Sequence, residues 1–198
     1  MKSIVSILSL WLMALPALAE VRPYALEVLI FARPEPIHSI SELFPTEAPE
    51  APEQHLDFDF ALQSNYQNLR ALPNYSHVLA NEASRIQSQL GGRIVFHARW
   101  VHPLTQGQAN NPWFRIQGQS GNFSLDGYMR WSIDRFIELD ADLRVRRAGV
   151  RTSPDGTAID EVYRLTEFRK MASVDVHYLD HPAFGVLIAS EAIEQASE

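Results

Sequence analysis

Two consecutive runs in which apolar and polar residues alternate constrain the fold of this chain most. The first run covers 122–134 and the second covers 137–145. A period of two places the apolar side chains on one face of a β-strand and the polar side chains on the other. Asp134-Arg135, between the runs, is short enough to turn the chain. The runs therefore predict an antiparallel hairpin with one face in the core and one face in water.

Five further segments are rich in strand-forming residues and are bordered by turn residues. These strands are predicted at 24–33, 93–101, 159–168, 173–178 and 184–190. The segment 24–33 is nearly all apolar and lies between two prolines, which indicates a mostly buried strand. Ser153-Pro154-Asp155-Gly156 supplies the turn that pairs the second alternating run with the strand at 159–168.

One segment has the periodicity of a helix. Leu79, Ala83, Ile86 and Leu90 form a single apolar stripe, Asn74 or Ser76 can cap its start, and two glycines follow its end. Strands combined with one such helix predict an α+β fold. The expected architecture is one predominantly antiparallel β-sheet with one main amphipathic helix packed on one of its faces.

The ends of the chain predict export. Lys2 precedes an apolar run at 4–15, Pro16 breaks it, and Ala17-Leu18-Ala19 has the small residues that signal peptidase requires. We expect residues 1–19 to be a signal peptide and 20–198 to form one domain without an integral membrane segment. Within that domain, we expect 34–57 to be a loop rich in Pro and Glu, and 191–198 to fray.

The composition of the chain excludes cysteine chemistry and argues against one class of binding partner. The chain has no cysteine, so it holds no disulfide, thiolate metal ligand or acylated cysteine. The formal net charge is −7, and residues 20–90 carry 4 basic and 10 acidic side chains. Proteins that bind nucleic acid normally carry a basic stripe on a basic domain, so nucleic acid is not an expected partner.

Four parts of the sequence resemble one known family. They are 24–33, the segment 94–100 that ends in His-x-x-Trp, the group 125–127 with 135–136 and 142–143, and 168–171 followed by 177–185. The most specific match is His-Tyr-Leu-Asp-His-Pro-Ala-Phe-Gly at 177–185. These four stretches, in this order along the chain, are similar to those of the CsiV family of periplasmic peptidoglycan-binding proteins of Gram-negative bacteria. The resemblance implies a periplasmic protein of the cell envelope that binds the cell wall and supports its integrity or synthesis. It also implies that the protein is not an enzyme and has no cofactor. Proteins of wall synthesis are further candidate partners.

Peptidoglycan offers sugar faces for aromatic stacking and carboxylates for Arg or Lys. The candidate binding residues are therefore Trp113, Tyr128, Arg130, Arg144, Arg169, Lys170 and Tyr178. Tyr128, Arg130 and Arg144 share the polar face of the predicted hairpin, whereas Trp100 and Trp131 are assigned to the core.

Two alternatives remain open. His177, Asp180 and His181 superficially resemble a metal motif of hydrolases, to which His97 could add a ligand. With Pro182 and Gly185 they also suit a structural turn in which Asp180 caps backbone N–H groups, so we predict no metal site. The acidic loop at 35–53 could instead dock a wall synthase or its activator.

Overall fold

The computed structural model describes residues 21–35, 48–107, 111–152 and 154–193. Short 3-10 turns cover Tyr66–Asn68 and Asn74–Ser76. The helices are α1 (Phe58–Gln63) and α2 (Ala80–Gln89). The strands are β1 (Arg22–Ala32), β2 (His55–Asp57), β3 (Arg70–Ala71), β4 (Arg93–Leu104), β5 (Trp113–Ser120), β6 (Phe123–Ile133), β7 (Ile137–Thr152), β8 (Ala158–Met171), β9 (Val176–His181) and β10 (Phe184–Ala192).

The strands form two five-stranded sheets. The first sheet has the order β3-β4-β1-β10-β9 and the second has the order β2-β5-β6-β7-β8. Only the short pair β2 and β5 runs parallel among these neighbours. The predicted α+β class with mainly antiparallel strands is confirmed. The expectation of a single sheet is wrong, because the apolar faces of two sheets cover each other.

The core lies between the two sheets. Leu26 and Ile30 of the first sheet are fully buried in one cluster with Leu139 of the second. Trp100 and Trp131, both assigned to the core from sequence, meet there edge to face with their ring centroids 5.2 Å apart. Each of these large side chains contributes on the order of 2 kcal/mol through its removal from water. The second sheet is therefore sealed on its apolar side by the first sheet.

Strand β1 explains the nearly continuous apolar run at 24–33, because both of its faces are covered. Leu26 and Ile30 point between the sheets, whereas Leu29 and Phe31 point to the other side. There they pack against Leu79, the residue before α2, and against Ile86 within α2. The main helix therefore packs on one face of the first sheet, as predicted.

The limits of α2 differ from the prediction. Asn74 and Ser76 lie in the preceding 3-10 turn, and the N-cap residue Leu79 makes no side-chain capping hydrogen bond. Leu90 was expected to end the buried stripe but is 64% exposed. The helix ends one residue earlier, and Leu90 therefore faces solvent instead of the sheet.

The predicted hairpin is confirmed as β6 and β7, whose register runs from Ile133 opposite Ile137 to Phe123 opposite Arg147. Strand β7 extends past the predicted 145 to Thr152. Strand β5 was missed, and its first residue is Trp113, one of the candidate binding residues. The turn after β7 includes Pro154–Gly156 as expected, whereas Ser153 lies outside the described residues.

Several expected segments lie outside the described residues, including the signal peptide at 1–19, residues 36–47 of the loop at 34–57 and the end of the tail. The last part of that loop forms β2 and is hydrogen-bonded to β5. In the part of the chain that the structure describes, no helix combines the length and apolar character needed to cross a membrane.

Candidate functional site

The polar side of the second sheet, here called the charged face, contains five of the seven candidate binding residues: Trp113, Tyr128, Arg130, Arg144 and Lys170. The guanidinium carbon of Arg130 lies 4.6 Å from the centroid of the Trp113 ring. Because Trp113 is half-buried and Arg130 covers one of its sides, little of the indole face is available for a sugar. The structure brings these two predicted binding residues together, but each covers the surface of the other that a ligand would contact.

Most cations of the charged face are paired with carboxylates of neighbouring strands. The pairs are Arg115–Asp126 at 2.8 Å, Arg130–Asp140 at 2.7 Å, Arg164–Asp142 at 2.5 Å, Lys170–Glu138 at 3.2 Å, and Arg146–Asp160. Arg144 lies between Asp126 and Arg164 in the register, and its Nε is buried without a hydrogen-bond partner among the described residues. A paired guanidinium must give up its partner before it can bind a wall carboxylate. The charged face is therefore a poor receptor for anions.

The prediction that Tyr128 is exposed is wrong. Its side chain lies on the charged face by parity but is only 6% exposed, because the ring of His55 in β2 packs edge-on against it at 5.2 Å. The position of β2 beside β5 depends on contacts between distant parts of the chain. Tyr128 is thus part of a packed layer and offers no free ring for a ligand.

Arg169 does not join the charged face. It lies opposite Leu139, whose side chain points into the core, so Arg169 is on the other side of the edge strand β8. Its guanidinium approaches Glu167 at 3.4 Å. Adjacent residues of a strand point to opposite faces, so Arg169 and Lys170 cannot act as one binding pair.

Tyr178 lies on the outer face of the first sheet, in a hydrogen-bonded cluster with Arg33 and Asp180. The Arg33 Nη2 donates to the Tyr178 hydroxyl at 2.7 Å and to Asp180 Oδ1 at 2.6 Å. The Tyr178 hydroxyl in turn donates to Asp180 Oδ1 at 2.6 Å. Burial, followed by this hydrogen bond to Asp180, raises the pKa of Tyr178 to about 12. The phenol therefore stays protonated at every physiological pH.

Gly185 is required where it stands because two aromatic rings flank it. A Cβ at this position would lie 2.6 Å from Phe31 and 2.8 Å from Tyr178. Gly185 pairs with Phe31 on one side and with Asp180 on the other. The glycine of the 177–185 stretch therefore allows Tyr178 to lie close against the sheet.

A groove of about 320 Å³ runs between α2 and strand β9, and we call it the signature groove. Phe31, Ile86, Leu90 and Leu187 provide apolar walls, and Arg33, Glu82, Arg85, Gln89 and Tyr178 provide polar groups. Tyr178 is 40% exposed there. Arg85 is exposed and has no ion-pair partner in the described ranges, so its guanidinium is available to an anion.

Sequence reasoning missed Arg33 and Arg85 as site residues. Arg33 ends the first stretch that resembles the CsiV family, and it reaches Tyr178 and Asp180 in the fourth stretch. Because Arg33 belongs to one of the stretches that resemble the family, the sequence could have indicated it as a site residue. Arg85 carries no such signal, since only the packing of α2 on the sheet brings it beside Tyr178.

His177, Asp180 and His181 do not converge on a metal. His177 Nε2 donates to the Ala172 carbonyl at 3.0 Å, and His181 Nδ1 accepts the Ala183 N–H at 3.1 Å. Asp180 points to the opposite face of β9 from both histidines. The expectation that Asp180 caps backbone groups is also wrong, because β9 continues to His181 and the chain turns at Pro182 and Ala183.

Comparison with known proteins agrees with the resemblance seen in the sequence. The sequence model of the family described as "Peptidoglycan-binding protein, CsiV" matches residues 3–191, nearly the whole chain. No curated protein matches the chain. No solved structure matches it either. The match covers the strands of both sheets and the signature groove, and the chain belongs to the CsiV family of peptidoglycan-binding proteins.

Proposed function

We propose that this protein binds peptidoglycan in the periplasm of a Gram-negative bacterium, without catalysis, and that the signature groove makes the contact. Residues 1–19 would direct export and residues 20–198 would act as one wall-binding domain. The observation that supports this site most is the meeting of Tyr178 and two guanidinium groups over an apolar floor in one concavity.

The groove suits the chemistry of the wall polymer. The exposed part of the Tyr178 ring can stack on the apolar face of a sugar, and Arg85 can bind a carboxylate of a stem peptide. Arg33 holds the Tyr178 hydroxyl and so positions the ring. A volume of about 320 Å³ lies at the lower end of the range for ligand sites. We therefore expect one disaccharide or a short stem peptide to occupy it.

The charged face is the competing surface, since Trp113, Arg130, Arg144 and Lys170 were all predicted to bind the wall. Its ion pairs argue against this role. These partly exposed pairs contribute only about 1 kcal/mol each, but each cation would have to exchange a carboxylate already in contact for one of the ligand. Arg85 needs no such exchange, which favours the groove.

Binding without catalysis is supported by the arrangement of β9. His177 and His181 each bond to backbone groups, and Asp180 is engaged by Arg33 on the opposite face. The residues that could have formed a hydrolase centre are therefore used to hold the strand. The protein would support wall synthesis or envelope integrity through attachment, with wall-synthesis proteins as further partners.

Charge reversal in the groove tests this proposal. We expect purified protein to pellet with sacculi at low salt, and Arg85→Glu to weaken that binding about tenfold, the usual loss for a hydrogen bond to a charged group. Lys170→Glu is the matched control, because it reverses another exposed cation, on the charged face. The bound fraction at several sacculus concentrations is the measurement, with circular dichroism as a check of folding.

Three results would count against the proposal. If the wild type stays in the supernatant, the protein does not bind the wall directly. If Lys170→Glu weakens binding and Arg85→Glu does not, the charged face is the site. Release of soluble muropeptides from the sacculi would show that the protein is an enzyme.

A further inference from the structure

A second cluster of polar side chains lies beside the start of α2, away from the signature groove. It consists of Glu27 on β1, His77 in the segment before the helix, and His97 on β4. One ligand atom from each residue lies within 4.8 Å of the others. The Glu27 side chain is only 1% exposed, and those of His77 and His97 are 8% and 18% exposed. The cluster is thus largely shielded from water.

The spacing of these atoms is close to what a tetrahedral metal requires. Glu27 Oε1 lies 2.7 Å from His97 Nε2 and 3.8 Å from His77 Nδ1. Ligand atoms about 2.0–2.1 Å from a tetrahedral zinc ion stand roughly 3.3 Å apart, and the two observed separations fall on either side of that value. Small side-chain rotations that move the ligand atoms by about half an ångström would bring both separations to this value.

The surroundings hold the carboxylate in a fixed orientation. The backbone N–H groups of Val78 and Leu79 donate to the two oxygens of Glu27 at 2.7 and 3.1 Å. Such outer hydrogen bonds are typical of metal ligands, since they orient the first shell. The nearest cation is Arg99, 3.9 Å from Glu27 Oε2, and Glu191 partly neutralises it at 2.8 Å.

We propose that Glu27, His77 and His97 form a binding site for a divalent transition metal, with Zn²⁺ the best match to two imidazoles and one carboxylate. The three ligands come from three segments, so a bound ion links β1, β4 and the start of α2. That link stabilises the helix that forms one wall of the signature groove. The metal proposal does not rest on the proposed wall binding, because the two sites share no residue.

Metal titration of the purified protein tests the proposal. After treatment with a chelator, the protein should bind one equivalent of Zn²⁺, and Co²⁺ should give the visible absorption of a tetrahedral ion. At a Zn²⁺ concentration a hundredfold above its dissociation constant, the melting temperature should rise by about 5 °C or more. His77→Gln should raise the dissociation constant about a hundredfold or more, whereas His55→Gln, in an exposed histidine on the other sheet, should leave it unchanged.

The proposal is overturned if the wild type binds neither ion at micromolar concentrations. It is also overturned if folded His77→Gln binds Zn²⁺ as tightly as the wild type. His97→Gln provides a second test of the same site from β4, and either variant suffices if the other does not fold. Sacculus binding is measured separately, so failure of one proposal does not imply failure of the other.

Discussion

Lowering the pH from 7 to 5 is expected to remove about 4 kcal/mol from the free energy of unfolding. The cause is two histidines that are buried in the neutral form. Burial lowers the pKa of His102 to about 3 and the pKa of His181 to about 4. In the unfolded chain both titrate near 6.5, so the unfolded state takes up two protons as the pH falls below that value while the folded state takes up almost none. Each of the two histidines therefore lowers the free energy of unfolding by about 2 kcal/mol between pH 7 and pH 5.

Hydrogen bonding supports the neutral form of both rings. Trp100 Nε1 donates to His102 Nδ1 at 3.0 Å, and the Ala183 N–H donates to His181 Nδ1 at 3.1 Å. Protonation of either Nδ1 would break the bond that it accepts. The stability from these residues is therefore fully present above pH 6.5 and is lost progressively as the pH falls toward 4.

Urea unfolding at pH 7, 6 and 5 measures this effect. His102→Asn keeps an acceptor near Trp100 but removes one titrating group, so we expect it to halve the loss of stability between pH 7 and 5. The variant will be less stable at pH 7, and for that reason the slope with pH is the quantity to compare. A wild-type free energy that changes by less than about 1 kcal/mol over this range would contradict the account.

Replacement of Glu27 by alanine is expected to lower the free energy of unfolding by about 3–5 kcal/mol, as is usual when one member of a buried charged network is removed. Val78 and Leu79 would lose the acceptor for their N–H groups, and His97 would lose its partner. Burial alone would raise the pKa of Glu27, but its hydrogen bonds with His97 and with these N–H groups hold it below its ordinary value. The carboxylate is therefore charged in the folded protein.

Because Glu27 joins β1 to the start of α2, its loss should act first on the helix. Hydrogen exchange of the α2 amides is expected to accelerate more than exchange in β6 and β7. Glu138→Ala is the matched control on the second sheet, since Glu138 pairs with the exposed Lys170 and accepts a hydrogen bond from the Ser132 hydroxyl, and we expect its loss to cost about 1 kcal/mol. Unchanged protection of α2 in folded Glu27→Ala would show that the carboxylate does not hold the helix.

Sequence patterns predicted the strands well because strand periodicity is local. The alternation at 122–134 and 137–145 identified the pairing of β6 with β7, and the apolar run at 24–33 identified a buried strand. Periodicity tells which residues share a face, but it does not tell which other strand covers that face. For this reason the division into two sheets was not predicted, although seven of the ten strands in the described part of the chain were.

The candidate site was predicted less well, for a related reason. Tyr128 was placed on the correct face, but its burial depends on His55 of β2, more than seventy residues earlier in the chain. Tyr178 was identified, but Arg33 reaches it only when β1 and β9 join the first sheet, and Arg85 only when α2 packs on that sheet. Long-range contacts of this kind leave no periodic trace in one sequence. They determine which cations remain free for a ligand.

The most direct test of the central claim is an NMR titration of the isotopically labelled protein with a soluble muropeptide that contains one disaccharide and its stem peptide. The signature groove predicts saturable shift changes concentrated in α2, at the end of β1 around Arg33 and in β9 around Tyr178. The charged face would serve as the internal reference and should change little. Shift changes confined to β6, β7 and β8, or no saturable change at millimolar ligand, would contradict the account.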